Sequence, residues 1–328
     1  MKRTYCTLFD KNYLPHVLTL IDSLKMHVND FVIYCFCMDE ESFDRLQKNK
    51  MPETVPISIK ELERFYPELY NVKQNRSKVE YYFTSTASIC SYVFSNYKGI
   101  DILTYLDADL YFFSSPQPLY NELKDASVGI IEHKFYGLGK RFEKYGRFNV
   151  GLVAFINNEN GRACLEDWRT DCIKWCYDYL DGDKFADQKY LDKWPEKYKG
   201  VHIIEHIGAN VAPWNVGSYK INVDTQSNNV MINNRPLIFY HFASLKQVTT
   251  NSYLTNISRY LAFLSTTIRN DIYIPYIKKL RNNQAILGAT FAVRDRKEYL
   301  WSGIGQHIRD ISRNLRKFIY KDKIIIKL

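Results

Sequence analysis

The 328-residue chain has no run of about 18 or more apolar residues, so no membrane-spanning helix is expected. Its opening stretch, MKRTYCTLFDKNYLPH, lacks the apolar segment of a secretory signal, and a cytoplasmic location is the expectation. There is no CxxC pair. The seven cysteines are therefore read as reduced, buried thiols rather than a metal site or a disulfide framework. Cys6, Cys35, Cys37 and Cys90 lie in apolar segments, while Cys164, Cys172 and Cys176 are spaced to share one helix face. Internal repeats, low-complexity tracts and recognised nucleic-acid-binding modules are also missing, so no nucleic-acid partner is expected.

What is present suits a globular protein. The composition is 46% hydrophobic and 15% aromatic, enough for a sizeable core in one large domain or two small ones. The net charge of +9 is unevenly placed. Of 45 Lys/Arg and 36 Asp/Glu, residues 278–328 hold 13 and 4, which leaves 32 of each sign in a neutral body. An excess confined to one end points to a local anionic partner.

RTYCTLFD reads as a first strand, and YLPHVLTLIDSLKMH as a helix from the spacing of Leu14, Val17, Leu18, Ile21 and Leu24. FVIYCFCMD and DILTYLD are continuous apolar runs typical of buried parallel strands. DEESFDRLQKN opens a helix with acidic residues in its first turn. VPISIKELERF adds a short strand and helix, and TASICSYVFSNY another helix. ASVGIIEH and NVGLVAFIN read as strands, and GRACLEDWRTDCIKWCYDYL as one long helix. The alternation argues for an α/β fold with a mostly parallel sheet; after about residue 250 the chain turns helical and basic.

Asp107 and Asp109 sit inside LTYLDADLYFF, residues 103–113. A buried carboxylate costs several kcal/mol unless it is paired, hydrogen-bonded or bound to a metal. The carboxyl end of a buried strand borders the ligand crevice of an open α/β sheet. In extended chain the i and i+2 side chains leave on one side, roughly 6–7 Å apart. Such a pair can share one hard divalent cation, Mg²⁺ or Mn²⁺, which neutralises a diphosphate. A solvated turn is the competing reading, and it leaves the flanking apolar residues unexplained.

The stretch YLDADLYFFSSPQPLYNEL resembles the metal-binding DxD segment of GT-A glycosyltransferases, most of all that of glycosyltransferase family 8 and related bacterial enzymes of surface-polysaccharide synthesis. FDKNY (9–13), FNVGLVAF (148–155), FADQKYLD (185–192) and FYHFASLK (239–246) resemble further motifs of that family, in the same order. The resemblance covers roughly residues 1–250. It implies a GT-A domain over 1–250, with a mostly parallel central sheet flanked by helices, and a helical, basic C-terminal region over 251–328.

The resemblance implies roles residue by residue. Asp107, Asp109 and His241 would hold the metal, with Asp107 also reaching the ribose; imidazole favours Mn²⁺ over Mg²⁺. A lone His in the apolar run LIFYHFASL is also readable as a core residue. Asp10 and Tyr13 would take the uracil of a UDP-sugar, by a carboxylate–imino bond and ring stacking, although Asp10 also suits a helix cap. Asn149 and Gly151 would line the sugar pocket, and Asp187 and Gln188 would meet the donor sugar near its anomeric carbon. Lys246 would reach the diphosphate, displaced by one position from the family pattern, with Ser244 where that pattern has Gly. The family's Arg on the helix before the DxD strand has no counterpart, leaving Arg76 or Lys78 as substitutes. Trp214, in HIGANVAPWNV, is equally an acceptor platform and a core anchor.

The implied reaction is transfer of a hexose-type sugar from a UDP-sugar to a glycan or lipid-linked acceptor hydroxyl, with retention. An inverting enzyme would instead need a base, for which Asp187 is the candidate. A sugar-nucleotide pyrophosphorylase is disfavoured because no glycine-rich loop follows strand one. A non-catalytic sugar-binding protein is disfavoured by the complete Asp107, Asp109, His241 set. Ile308, Ile311, Leu315 and Ile319, flanked by Arg309, Arg313, Arg316 and Lys317, have the layout of a basic amphipathic helix. That layout predicts peripheral docking on the anionic inner face of the plasma membrane.

Overall fold

The computed structural model describes residues 2–288, 319 and 321–326. The first part of the chain alternates as its apolar pattern requires. It runs β1 (Arg3–Phe9), α1 (Leu14–His27), β2 (Phe31–Cys37), α2 (Glu40–Asn49), β3 (Thr54–Ser58), α3 (Ile59–Phe65), α4 (Pro67–Lys73), α5 (Lys78–Asn96) and β4 (Ile102–Leu106). Then follow β5 (Leu110–Phe112), α6 (Gln117–Glu122), β6 (Val128–Glu132), β7 (Phe148–Ile156), α7 (Glu159–Lys174), α8 (Trp194–Lys197) and β8 (Val201–Ile203).

Seven of these strands form one sheet in the order β3-β2-β1-β4-β7-β6-β8. Its strands are parallel except β7, which runs against β4 and β6. The two-residue period of β1 serves two cores: Cys6 and Leu8 join the cluster under α5 and α7, and Tyr5 and Phe9 join the one under α1. Each fully buried Leu, Ile or Phe there contributes roughly 1.5–3 kcal/mol. All seven cysteines are buried and free.

Helix ends depart from the apolar pattern where polar contacts take over. Ser77 and Glu80 form a reciprocal capping box, so α5 starts at Lys78 rather than at Thr86. Conversely, α7 stops at Lys174 instead of running on to Leu180. The Tyr190 hydroxyl lies 2.7 Å from the Trp175 carbonyl and 3.3 Å from that of Asp171, and the Ala186 N–H donates to Tyr177 O at 2.9 Å. The orphan carbonyls thus find partners in an extended segment, and Cys176 is buried off the helix.

A second body of structure follows: β9 (Ile221–Val223), β10 (Val230–Ile232), β11 (Arg235–Pro236), β12 (Phe239–His241), β13 (Lys246–Thr249), β14 (Ser252–Leu254), α9 (Ile274–Ile286) and β15 (Lys323–Ile325). The region after residue 250 is therefore not wholly helical, because β14 pairs with β13 and with β15. A third core, including Tyr240, Tyr253, Tyr273, Tyr276 and Ile324, joins these elements. Helix α9 is fastened to α1 by polar contacts: Tyr276 OH to His16 Nδ1 at 2.7 Å, and Asn283 Nδ2 to Thr19 Oγ1 and Asp22 Oδ2 at 3.1 and 3.0 Å. Asp322, fully buried beside β15, accepts from Thr255 Oγ1 at 2.7 Å and from the Ser258 N–H at 3.2 Å. Of the expected amphipathic stripe, Ile308, Ile311 and Leu315 lie outside the described residues, as do Arg309, Arg313, Arg316 and Lys317; Ile319 is described and exposed. Among the described residues no helix is long and apolar enough to cross a membrane.

Candidate active site

The two aspartates are not in extended chain. β4 ends at Leu106 after pairing with β1 and β7, while β5 belongs to a separate two-stranded sheet with β12. Residues 107–109 are the turn by which the chain changes sheets. The Asp107 N–H donates to Gly151 O at 2.9 Å, and the Leu110 N–H to Asp107 O at 3.3 Å. The β5–β12 register sets Leu110 opposite His241, which delivers the imidazole to the aspartates. His241 Nε2 lies 3.1 Å from Asp109 Oδ1 and 3.6 Å from Asp107 Oδ2. One ligand atom from each of the three residues falls within 4.8 Å of the other two. Two carboxylates and an imidazole form a donor set suited to Mn²⁺ or a similar divalent cation.

A hydrogen-bond series fixes the imidazole. The Arg147 carbonyl, which can only accept, lies 3.2 Å from His133 Nδ1. His133 Nε2 faces Asn149 Nδ2 at 3.3 Å, and Asn149 Oδ1 faces His241 Nδ1 at 3.2 Å. Burial pushes His133 down to about 3, so it stays neutral and carries its proton on Nδ1. The amide of Asn149 then donates to His133 and accepts from His241, leaving His241 Nε2 toward the aspartates. Gly151 makes this possible by its size. A Cβ there would sit 2.6 Å from Asn149 Oδ1 and 2.8 Å from the His241 ring.

Charge is concentrated here, two carboxylates against one imidazole. Burial pushes the Asp107 carboxyl up and Asp109 adds to the rise, against the opposing pull of His241. For Asp109 burial also works upward, but the His241 charge and hydrogen bond outweigh it and hold the carboxyl below its usual range. Burial disfavours a charged His241, yet both aspartates keep it above the usual imidazole value. The Tyr105 hydroxyl donates to Asp107 Oδ1 at 2.8 Å.

Residues 6–190 match the sequence model of glycosyl transferase family 8. The uncharacterized protein YfnD of Bacillus subtilis strain 168 is 33% identical over 283 residues, 84% of this chain and 88% of YfnD. YfnF of the same organism, also uncharacterized, is 31% identical over 260 residues, 76% and 84% of the two chains. Among solved structures, the galactosyltransferase LgtC, in complex with donor and acceptor sugar analogues, matches with a TM-score of 0.51 at 16% identity, over 74% of this chain and 87% of that one. The chain belongs to glycosyltransferase family 8. Its fold is GT-A, and it is a glycosyltransferase.

The positions expected from the family motifs can be placed one by one. A cleft of about 360 Å³ is lined by Asp10, Tyr13, Lys78, Tyr82, Asp107, Asp109, Asn149, Asp187, Gln188 and His241, among others. Asp10 accepts from the Asn12 and Tyr13 N–H groups at 2.9 and 3.3 Å and pairs with Lys78 Nζ at 2.6 Å. Burial pushes its carboxyl upward, but Lys78 and Asn12 together hold it below the usual value. Asp10 thus closes the turn before α1 and lines the cleft, while the N-cap of α1 is Tyr13, without a side-chain capping hydrogen bond. Tyr13 is 43% exposed, with its ring 5.0 Å from that of His16.

Asp187, also in the lining, is buried, and burial and Asp107 push its carboxyl up to about 7 against a hydrogen bond from Thr86. It is presented by a backbone turn in which Ala186 takes φ +46°, a conformation that costs of order 1–3 kcal/mol. The Trp168 indole N–H holds that turn through Asp187 O at 2.8 Å. Gln188 donates to Tyr145 O at 2.9 Å and lies over Gly146.

Lys246 is not brought to this group. It is exposed in β13 and lines neither this cleft nor its neighbour. Ser244, at the family's glycine position, does adopt a glycine-like φ of +65°. Of the two upstream cations, Lys78 lines the cleft, whereas the Arg76 guanidinium stacks on the Tyr177 ring at 3.8 Å. Trp214 packs edge-on against His241 at 5.1 Å and lines a second cleft, so it is both anchor and wall. The sequence reading passed over His133, Tyr105, Thr86 and Tyr82. His133 had a signal, an ionisable residue ending the strand next to FNVG, and so had Tyr105, two residues before Asp107; Thr86 and Tyr82 had none, since their partners, Asp187 and Asp10, are distant in sequence.

Proposed function

We propose that the protein transfers a hexose-type sugar from a UDP-sugar, with a divalent cation, to a hydroxyl of a glycan or lipid-linked acceptor in bacterial surface-polysaccharide synthesis. The observation that carries this reading is that Asp107, Asp109 and His241 lie within 4.8 Å of one another in a cleft also lined by Asp10, Tyr13 and Asp187. A cation held there, Mn²⁺ or Mg²⁺, would supply charge stabilisation to a departing diphosphate. Asp10 and Tyr13 would take the base, Lys78 would turn toward the diphosphate, and Asp187 and Asn149 would orient the donor sugar. Gln188 lines both this cleft and the second one, where an acceptor would enter.

Retention is supported by what stands at that junction. Gln188 is a carboxamide and not a base, and Asp187 lines the donor cleft only. The carboxylate on the acceptor side is Asp178, so an Asp178→Asn variant that keeps full transfer argues against inversion. The test of the whole reading is a panel of UDP-sugars assayed for hydrolysis with and without Mn²⁺, with product anomers read by proton NMR. At least one donor should turn over only with the cation and release the retained anomer. Cation-independent turnover, or none with any sugar nucleotide, overturns the reading. The basic residues of 278–328 support a working place at the cytoplasmic membrane face.

A further inference from the structure

The second cleft, about 640 Å³, meets the donor cleft at Asn149, Gln188 and His241. Its character is different. Phe135, Phe142, Trp214 and Tyr260 form a continuous aromatic wall, with Phe142 and Tyr260 centroids 5.4 Å apart and Phe135 stacked toward Tyr260 at 6.4 Å. These rings come from three separate segments, so the wall is a product of the fold. The Trp214 indole Nε1–H is buried at the wall without a hydrogen-bond acceptor.

Two cations line the same cleft, Lys144 and Arg259. Neither forms an ion pair among the described residues, although neighbouring Arg147, Lys189 and Lys193 all do. Both lie against aromatic rings of the lining. The Arg259 guanidinium is 5.5 Å from the Phe142 ring centroid and 5.9 Å from that of Tyr260, and the Lys144 ammonium is 4.9 Å from that of Tyr145. The one carboxylate of the lining, Asp178, has its pKa raised by burial and Glu80, and neither cation neutralises it. A neutral sugar on this wall would leave both cations unanswered.

We propose that the second cleft binds an acidic saccharide, a sugar ring carrying a carboxylate or a phosphate, with the ring against Phe142 and Tyr260 and the anion between Lys144 and Arg259. This rests on the glycosyl-transfer reading for its place in the reaction, as the acceptor class. The recognition itself needs no donor. Aromatic walls with a few placed polar groups are the usual make-up of a small-molecule site, and hydrogen bonds to ionised groups are about twice as strong as neutral ones.

The experiment uses the full chain at low salt and titrates methyl β-D-glucuronide, glucose 1-phosphate and methyl β-D-glucoside by saturation-transfer NMR, with and without UDP and Mn²⁺. At least one anionic probe should bind about tenfold or more tighter than the glucoside, in the presence of UDP as well. A preference for the glucuronide assigns a carboxylate, and for the phosphate a phosphorylated sugar. The Lys144→Met, Arg259→Met double variant should lose the preference, and Phe142→Ala should weaken every probe. In both, UDP with Mn²⁺ should raise the melting temperature as in the parent. Equal binding of the glucoside, no binding of any probe, displacement of both anions by UDP, or a preference that survives the double variant overturns the proposal. Absence of a UDP shift in the parent protein strikes the donor reading instead, and leaves the probe titrations to speak for the cleft.

Discussion

Asn149 Oδ1 stands 3.2 Å from His241 Nδ1, and that contact decides which ring nitrogen faces the aspartates. Partners of this kind typically change metal affinity by about 10–100-fold when removed. Asn149→Leu should therefore weaken Mn²⁺ binding by roughly that factor while Asp107, Asp109 and His241 remain. Calorimetric titration of Mn²⁺ into the variant checks this. Unchanged affinity would mean that the imidazole needs no such support.

Asp107→Asn and Asp109→Asn should each abolish cation-dependent turnover, by about a hundredfold or more. In EDTA the Asp107 variant should not melt lower, because burial and Asp109 already hold that carboxyl above its usual value, whereas the Asp109 variant should, because it loses the ion pair with His241 that holds its carboxyl below the usual range. Activity and thermal melts on the same preparations read both halves. Near-parental activity in either variant refutes the cation assignment.

Gly151→Ala tests a steric claim. The added Cβ would lie 2.6 Å from Asn149 Oδ1 and 2.8 Å from the His241 ring. Overpacking of this kind costs about 1–3 kcal/mol, so the variant should melt several degrees lower and bind Mn²⁺ weakly even when folded. A variant with parental Mn²⁺ affinity would show that the strand can yield.

Asp187 links the site to pH. Its carboxyl titrates near 7 when folded, well above its ordinary value of 3.8. Between those values the unfolded chain has released the proton and the folded one retains it, so the metal-free protein should lose stability as pH rises from about 4 to 7, then level off. Asp187→Asn should flatten this slope and raise the melting temperature at pH 8 in EDTA, while lowering transfer far more than UDP affinity. Melting curves across pH 4–8 decide. A parental slope in the variant places the titration elsewhere.

UDP with Mn²⁺ should raise the melting temperature by mass action, and GDP should do little. Asp10 would accept an imino N–H as Lys78 turns toward the diphosphate, so Lys78→Met, which removes that diphosphate contact, should reduce the UDP shift. Equal shifts from GDP and UDP would remove base selection from Asp10 and Tyr13.

The alternation of buried strands and amphipathic helices was legible because local spacing carries it: β1 to β4 and α1 to α3 fall where the apolar runs put them, whereas α4 was not read and α5 begins at Lys78, ahead of the run that marked it. The two aspartates were legible as a pair, but their geometry was not. Extended chain was expected, and a turn was found, because β5 leaves the main sheet to join a strand more than a hundred residues away. No local pattern encodes that pairing. The His133–Asn149–His241 series was hidden for the same reason. Helix ends were misplaced where tertiary contacts decide them, as Tyr190 does for α7.

The β14–β15 pairing and the buried Asp322 have a topological consequence. In the sequence the basic stretch reads as a terminal tail, yet the described elements on either side of it, α9 and β15, are both packed on the body. Cutting the chain at 289 would therefore strip β14 of β15, one of its two partners, and leave Thr255 and Ser258 without Asp322, their acceptor, along with removing basic residues. Replacing 289–318 by a glycine–serine bridge keeps both anchorages. In that form, loss of sedimentation with anionic vesicles at low salt can be credited to charge and not to unravelling.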